Sequence, residues 1–118
     1  MDHYTFPREL RLLTPKNFQK VFSKPVRAST PEITLLAITN EQEHPRLGLT
    51  VAKKQVKLAC RRNRIKRIMR ESFRQHQHEL PAVDIVAICK KDLQHMDNEA
   101  IHKLVRKLWR KLGRRCNG

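Results

Sequence analysis

Apolar residues along this chain recur with the two spacings that distinguish helices from strands. Apolar positions three and four residues apart predict helices over residues 15 to 23, 59 to 79 and 97 to 112. Runs of β-branched and aliphatic residues predict strands over 32 to 39, 46 to 52 and 83 to 89, with a short edge strand near 26 to 29. This order predicts an α+β sandwich, in which helices cover at least one face of a small mixed sheet.

The segment from Asn40 to Pro45 is polar and has the composition of a turn. We therefore expect the strands on either side of it, 32 to 39 and 46 to 52, to form an antiparallel pair. Side chains of the second strand alternate between a large and a small set, Leu47, Leu49 and Val51 against Gly48, Thr50 and Ala52. One face of that strand thus carries only small side chains, so its surface lies close to the backbone.

The length of 118 residues predicts one domain, spanning 1 to 118. Asp97 is expected to cap the last helix and Gly113 to end it. Trp109 borders the apolar stripe of that helix, which predicts a packing residue at the edge of the core. We expect an ordered core over about residues 6 to 112 and a basic tail over 113 to 118.

The chain carries 26 Lys and Arg against 11 Asp and Glu, a formal net charge of +15. Such a balance indicates a polyanionic partner, because neutralised phosphates release counterions. No apolar stretch approaches the roughly 20 residues of a membrane-spanning helix, so no membrane partner is expected. The three separated cysteines are typical of reduced thiols, which predicts a cytoplasmic protein.

Positive charge is densest over residues 53 to 74, with ten Lys or Arg and a single acid, Glu71. At 100° per residue, the helix face expected to pack on the sheet carries Ile65, Ile68, Met69, Ser72 and Phe73. The opposite face carries Asn63, Lys66, Arg67, Arg70 and Arg74, flanked by Arg61, Arg62 and Arg64. Like charges one turn apart destabilise a helix by a few tenths of a kcal/mol per pair, and a polyanion relieves that repulsion. The arginine guanidinium binds phosphates and stacks on unpaired bases, which favours structured RNA as the partner. A DNA groove is the alternative partner.

Catalytic and metal-binding patterns are absent from the sequence. The acids are scattered, whereas hard cations need several oxygen ligands. His76, His78 and His102 lie on predicted helix surfaces and do not converge. We therefore predict no catalytic residue and no metal site in this chain.

The segment Arg62-Asn63-Arg64-Ile65-Lys66-Arg67-Ile68-Met69-Arg70-Glu71 resembles the RNR motif of the bacterial ribonuclease P protein subunit. The preceding residues 46 to 54 look like the strand that leads into it. Residues 10 to 14 with Phe18 and Phe22, and 84 to 86 with Lys90-Lys91, match other landmarks of the family. The resemblance spans about residues 6 to 112 and is greatest to gamma-proteobacterial members.

That resemblance implies a ribosomal-protein-like sandwich with a left-handed crossover. It also implies one copy of the chain bound to one catalytic RNA and acting on precursor tRNA. The holoenzyme would remove the 5′ leader of that substrate by hydrolysis, with Mg²⁺ bound mainly by the RNA. The RNA subunit would carry the chemistry.

Specific residues are implied as well. Contacts to the catalytic RNA are expected from Arg62, Asn63, Arg64, Lys66, Arg67, Arg70 and Arg74. Contacts to the single-stranded leader are expected from Phe18, Phe22, Leu36, Lys53 and Lys54. From the residues alone, aromatics at i and i+4 also suit a core, and Lys53 and Lys54 also suit a solvated turn.

The sequence departs from the family pattern at two places among or beside these expected contact residues. Residues 55 to 61 lack the glycine that many members have there and form a loop one residue longer. Leu36 stands where many members carry an aromatic side chain.

The alternative function is that of a structural RNA-binding protein of the ribosomal type. A DNA reader would require a helix-turn-helix before the basic helix, and a membrane-active protein would lack the strands.

Overall fold

The computed structural model describes residues 21–22, 25–40 and 43–117. The first predicted helix, including Phe18, thus lies almost wholly outside the described residues. The strands are β1 (Val26–Ser29), β2 (Ile33–Thr39), β3 (Arg46–Val51) and β4 (Val83–Cys89). The basic helix is Ala59–His76, the C-terminal helix is Asn98–Asn117, and two 3-10 helices span Gln77–Glu79 and Lys91–His95.

The strands form one mixed sheet in the order β1-β2-β4-β3. β2 is antiparallel to both β1 and β4, whereas β3 is parallel to β4. The predicted antiparallel pair of β2 and β3 is therefore wrong, because β4 lies between them. β4 has apolar residues on both faces, which is typical of a central strand and outweighs the closeness of β2 and β3 in the chain.

A parallel pair requires a long connection, since its two strands begin at the same end of the sheet. The basic helix lies in this connection between β3 and β4. The predicted α+β sandwich with a small mixed sheet is thus confirmed, while the left-handed crossover stays a prediction.

The two faces of the sheet have different partners. Both helices pack on one face, over inward residues such as Leu35 and Ile85. The buried residues of the basic helix are the five predicted ones, Ile65, Ile68, Met69, Ser72 and Phe73. On the opposite face, here called the second face, Leu36 and Val86 pack with Val21.

Trp109 lies inside the core and not at its edge. The indole is fully buried, and Nε1 donates a hydrogen bond to Ser72 Oγ at 3.0 Å. Its ring meets Phe73 edge to face, with 5.7 Å between ring centroids. These contacts join the two helices, so the residue at the border of the stripe is in fact central to helix packing.

The C-terminal helix begins as predicted and ends later than predicted. Asp97 Oδ1 accepts the Ala100 N–H at 2.7 Å, which confirms the cap. The helix continues through Gly113 to Asn117, so residues 113 to 117 are helical, where a tail was expected. A Cβ at Gly113 would lie 3.3 Å from the Glu79 carbonyl oxygen. The glycine therefore serves close packing against the 3-10 helix.

Two further observations concern the expectations from composition. Among the described helices, none is both long and apolar enough to cross a membrane. Cys60, Cys89 and Cys116 are all unpaired. Burial raises the pKa of the Cys89 thiol to about 12, as expected for a thiol used as a small core side chain.

Candidate nucleic-acid interface

The polar face of the basic helix points away from the sheet. Asn63, Arg67 and Arg70 are exposed, and Lys66 and Arg74 are partly exposed. Within the described part of the chain, the side chains of Asn63, Lys66 and Arg67 have no hydrogen-bond or ion-pair partner. These three side chains are therefore available to an external partner.

Arg62 and Arg64, the arginines on either side of Asn63, form hydrogen bonds within the chain. Arg62 donates to the carbonyl oxygens of Val56 and Lys57, both at 2.9 Å. Its guanidinium thereby fixes the loop that precedes the helix.

Arg64 connects the basic helix to the segment before the C-terminal helix. It donates to Asn98 Oδ1 at 2.7 Å and to the carbonyl oxygens of Gln94 and Met96 at 3.0 and 3.1 Å. A guanidinium has five N–H donors, so these bonds leave donors for a phosphate. The described contacts assign both arginines a positioning role, and their RNA contacts stay a prediction.

The second face carries the described apolar residues predicted to contact the single-stranded leader, whereas Lys53 and Lys54 lie in the turn after β3. Val21 is fully buried against Leu36 and Val86, whereas the neighbouring Phe22 is 50 % exposed. The Phe22 side chain is therefore at the surface and not in the core. Leu36 is only 8 % exposed, so its contribution is a small apolar area beneath Val21. Phe18 lies outside the described residues.

A buried acid lies on the same face of the sheet. Asp84 is 3 % exposed and accepts two hydrogen bonds from Arg46, from Nε at 2.8 Å and from the terminal nitrogen at 2.7 Å. Asn40 Nδ2 donates to the same carboxylate at 2.9 Å. The hydrogen bond to Asp84, chiefly, raises the pKa of Arg46, and burial opposes the shift. This network fixes β3 beside β4 and neutralises the buried acid.

A divalent metal would require several oxygen ligands close together. Among the described residues, no three His, Cys, Asp or Glu side chains come together. The described part of the chain thus offers no ligand set that fits the Mg²⁺ implied by the resemblance.

The sequence and fold match known proteins. The family model described as ribonuclease P matches residues 6–113. The chain belongs to the ribonuclease P protein family. The expected membership is confirmed at the level of the family.

Solved structures of this family share the fold. The Staphylococcus aureus ribonuclease P protein has a TM-score of 0.78 at 29 % identity, covering 84 % of this chain and 91 % of that one. A mutant of it with defective mRNA degradation activity gives 0.81 at 27 % identity, covering 86 % of each chain. The Thermotoga maritima protein gives 0.76 at 28 % identity, covering 86 % and 96 %.

Membership identifies the chain as the protein subunit of ribonuclease P, an endoribonuclease of tRNA processing. Its partner is the ribonuclease P RNA. The predicted subunit role is thereby confirmed.

One feature of the interface was not predicted from the sequence. A cleft of about 400 Å³ lies at the amino end of the basic helix and is here called the basic cleft; its lining residues are Lys54, Gln55, Lys57, Leu58, Arg61, Lys91 and Gln94. Of the two lysines assigned to the leader, Lys54 lines this cleft, while Lys53 is exposed in the same turn. The cleft forms only when β3 and β4 are adjacent, and no local pattern encodes that pairing.

Proposed function

We propose that this chain binds the ribonuclease P RNA through the basic helix and the 5′ leader of precursor tRNA through the second face. It thereby assists the endonucleolytic removal of the leader, which produces mature tRNA 5′ ends. The observation that carries the proposal is the basic helix itself, whose buried apolar face fixes its cationic face outward.

Binding to the RNA uses the outward side chains of that helix. The proposed contacts are Arg62, Asn63, Arg64, Lys66, Arg67, Arg70 and Arg74. The availability of Asn63, Lys66 and Arg67 supports this assignment, because guanidinium and ammonium groups bind phosphate oxygens and an amide binds base edges or ribose hydroxyls. The fixed positions of Arg62 and Arg64 support it too, since an oriented donor loses less entropy on binding.

Binding of the leader uses the other side of the sheet and the turn after β3. The proposed contacts are Phe18, Phe22, Leu36, Lys53 and Lys54. The half-exposed ring of Phe22 supports this, because an aromatic side chain stacks on any unpaired base. The exposed lysines of the turn supply charge for the leader phosphates.

The chemistry belongs to the RNA in this proposal, and Mg²⁺ is bound mainly there. The protein binds and positions the two RNA molecules, with one chain per RNA subunit. We place it in the cytoplasm and among the gamma-proteobacterial members of the family.

The deciding experiment is leader cleavage of precursor tRNA at low Mg²⁺. It compares a bacterial ribonuclease P RNA alone, this protein alone, and the two together. We expect cleavage only in the mixture, because the protein screens phosphate repulsion between the two RNAs. Tight RNA binding without any gain in cleavage would instead favour a structural RNA-binding protein of the ribosomal type.

Arg67→Ala tests the basic helix separately. The slope of log Kd against log salt for the ribonuclease P RNA should decrease by about one unit, since one phosphate contact is lost. The measurement is a filter-binding titration between low and physiological salt. Lys107→Ala, which removes an exposed cation of the C-terminal helix, is the matched control. An unchanged slope for Arg67→Ala would exclude this residue from the interface.

A further inference from the structure

The basic cleft is distinct from both the outward face of the basic helix and the second face of the sheet. We propose that it binds one unpaired nucleotide of the ribonuclease P RNA. This inference rests on the proposed function and adds a specific site to it.

The position of the cleft follows from the topology of the sheet. β3 and β4 are parallel neighbours, and their last residues, Val51 and Cys89, pair in the register. The turn that follows β3 and the 3-10 helix that follows β4 therefore meet at one edge, beside the start of the basic helix. A crevice outside the carboxyl ends of parallel strands is a common place for ligands.

Hydrogen bonds between these segments hold the walls of the cleft in place. Gln55 Oε1 accepts the backbone N–H of Lys91 at 3.1 Å, and Gln94 Nε2 donates to the Gln55 carbonyl oxygen at 3.3 Å. Arg61 donates to Gln94 Oε1 at 3.1 Å, which connects the helix to the same wall. A site formed before binding avoids part of the entropic cost of ordering its side chains.

The lining is strongly positive. Lys54, Lys57, Arg61 and Lys91 surround the cleft, and all four are exposed. Within the described part of the chain none of them forms an ion pair, and the neighbouring acid, Asp92, does not line the cleft. Mutual repulsion among these cations is relieved when an anion enters, so the charge favours a phosphate group.

The cleft also has an apolar surface, which distinguishes its ligand from a simple anion. Leu58, at the amino end of the helix, is 53 % exposed and lies among the four cations. Inorganic phosphate would leave this leucine uncovered, whereas a nucleotide has both a charged phosphate and an apolar base face. A volume of about 400 Å³ lies within the range of roughly 300 to 1,000 Å³ for small-ligand pockets.

The chemistry of the cleft favours an unpaired nucleotide, since bases inside a duplex are already stacked. Arg61 connects the cleft directly to the basic helix, the proposed surface for the ribonuclease P RNA. Of the described residues proposed to contact the leader, Leu36 lies on the face of the sheet away from the helices, and Lys54 alone also lines the cleft. We therefore assign the nucleotide to the RNA subunit and not to the leader.

The test compares two double variants of the full chain. Lys57→Ala with Lys91→Ala removes two cations of the cleft. Arg106→Ala with Lys107→Ala removes two exposed cations from the C-terminal helix and keeps the net charge matched. We expect the salt slope of binding to ribonuclease P RNA to fall by about one unit in the first variant, because the contact to the phosphate of the bound nucleotide is lost, and to stay unchanged in the second. Thermal unfolding of both checks that they fold.

Leu58→Glu removes the apolar contact and adds a carboxylate that repels phosphate, so it tests binding of the whole nucleotide at nucleotide resolution. Chemical probing of the RNA should show one unpaired nucleotide that wild-type protein protects and this variant leaves reactive. Equal slopes in the two double variants, or identical protection by Leu58→Glu, would overturn the assignment. So would a cleft variant with an unchanged slope and a reduced preference for precursor over mature tRNA, because the leader would then occupy the cleft.

The outcomes also separate this inference from the proposed function. Wild-type protein that supports leader cleavage while the cleft variants behave as wild type would overturn the cleft alone. Wild-type protein that fails to support cleavage would overturn the proposed function, and the nucleotide site with it.

Discussion

Replacing Asp84 with alanine is expected to lower the free energy of unfolding by about 3 to 5 kcal/mol. The carboxylate is almost fully buried and accepts hydrogen bonds from Arg46 and Asn40. Without it, the Arg46 guanidinium is left with donors that have lost their acceptor in a side chain only 20 % exposed. An uncompensated charge is the costly case, because its desolvation remains while its attraction is lost.

Urea denaturation followed by circular dichroism measures this loss. Asp92→Ala, which removes an exposed acid, is the matched control and should change stability by less than about 0.5 kcal/mol. The double variant Arg46→Met with Asp84→Leu should recover most of the stability, since two apolar side chains leave no unpaired charge. A loss below about 1 kcal/mol for Asp84→Ala would make the pair equivalent to a surface salt bridge.

The same network explains how a buried acid is tolerated on a surface proposed to bind RNA. A free carboxylate there would repel phosphates, but Arg46 lies opposite Asp84 in the register of β3 and β4 and neutralises it. The pair also connects β3 to β4 where no hairpin joins them. One interaction thus supports both the parallel pairing and the electrostatics of the second face.

The basic helix shows which part of the fold local sequence encodes. Its buried and exposed sides were predictable because a helix converts spacing directly into direction. Strand pairing was not, since it is a contact between distant segments. The apolar residues on both faces of β4, Ile85 and Val86 among them, were the available sign that this strand is central.

In the candidate site, too, features of a single helix were predictable and contacts between distant segments were not. Exposed side chains of one helix, such as Arg67, could be assigned from the sequence, and family resemblance added Phe22. The internal roles of Arg62 and Arg64 could not, because four of their five acceptors are backbone carbonyls that a sequence does not mark, and the fifth, Asn98 Oδ1, is distant in the chain. The basic cleft was also missed, since Gln55 and Lys91 come together only through the sheet topology.

Replacing Phe22 with alanine should weaken binding of precursor tRNA to the holoenzyme by about 1 to 3 kcal/mol, roughly 5- to 150-fold, and leave mature tRNA unaffected. The ring is half exposed beside the buried Val21, so it offers an aromatic surface at the edge of the second face. Mature tRNA has no leader to stack on that surface. The loss of precursor binding should therefore appear entirely in the ratio of the two dissociation constants.

Fluorescence titrations with precursor and mature tRNA measure that ratio. Phe22→Tyr retains a π-face and should bind as wild type, whereas Phe22→Leu retains apolar area without the ring and should resemble the alanine variant. Thermal unfolding should be little changed in all three, because half of this side chain is already in water. Equal weakening toward both tRNAs, or loss of the unfolding transition, would show that Phe22 acts through folding or RNA assembly. Selective weakening with an intact fold would place the leader on the second face, on the opposite side of the sheet from the basic helix.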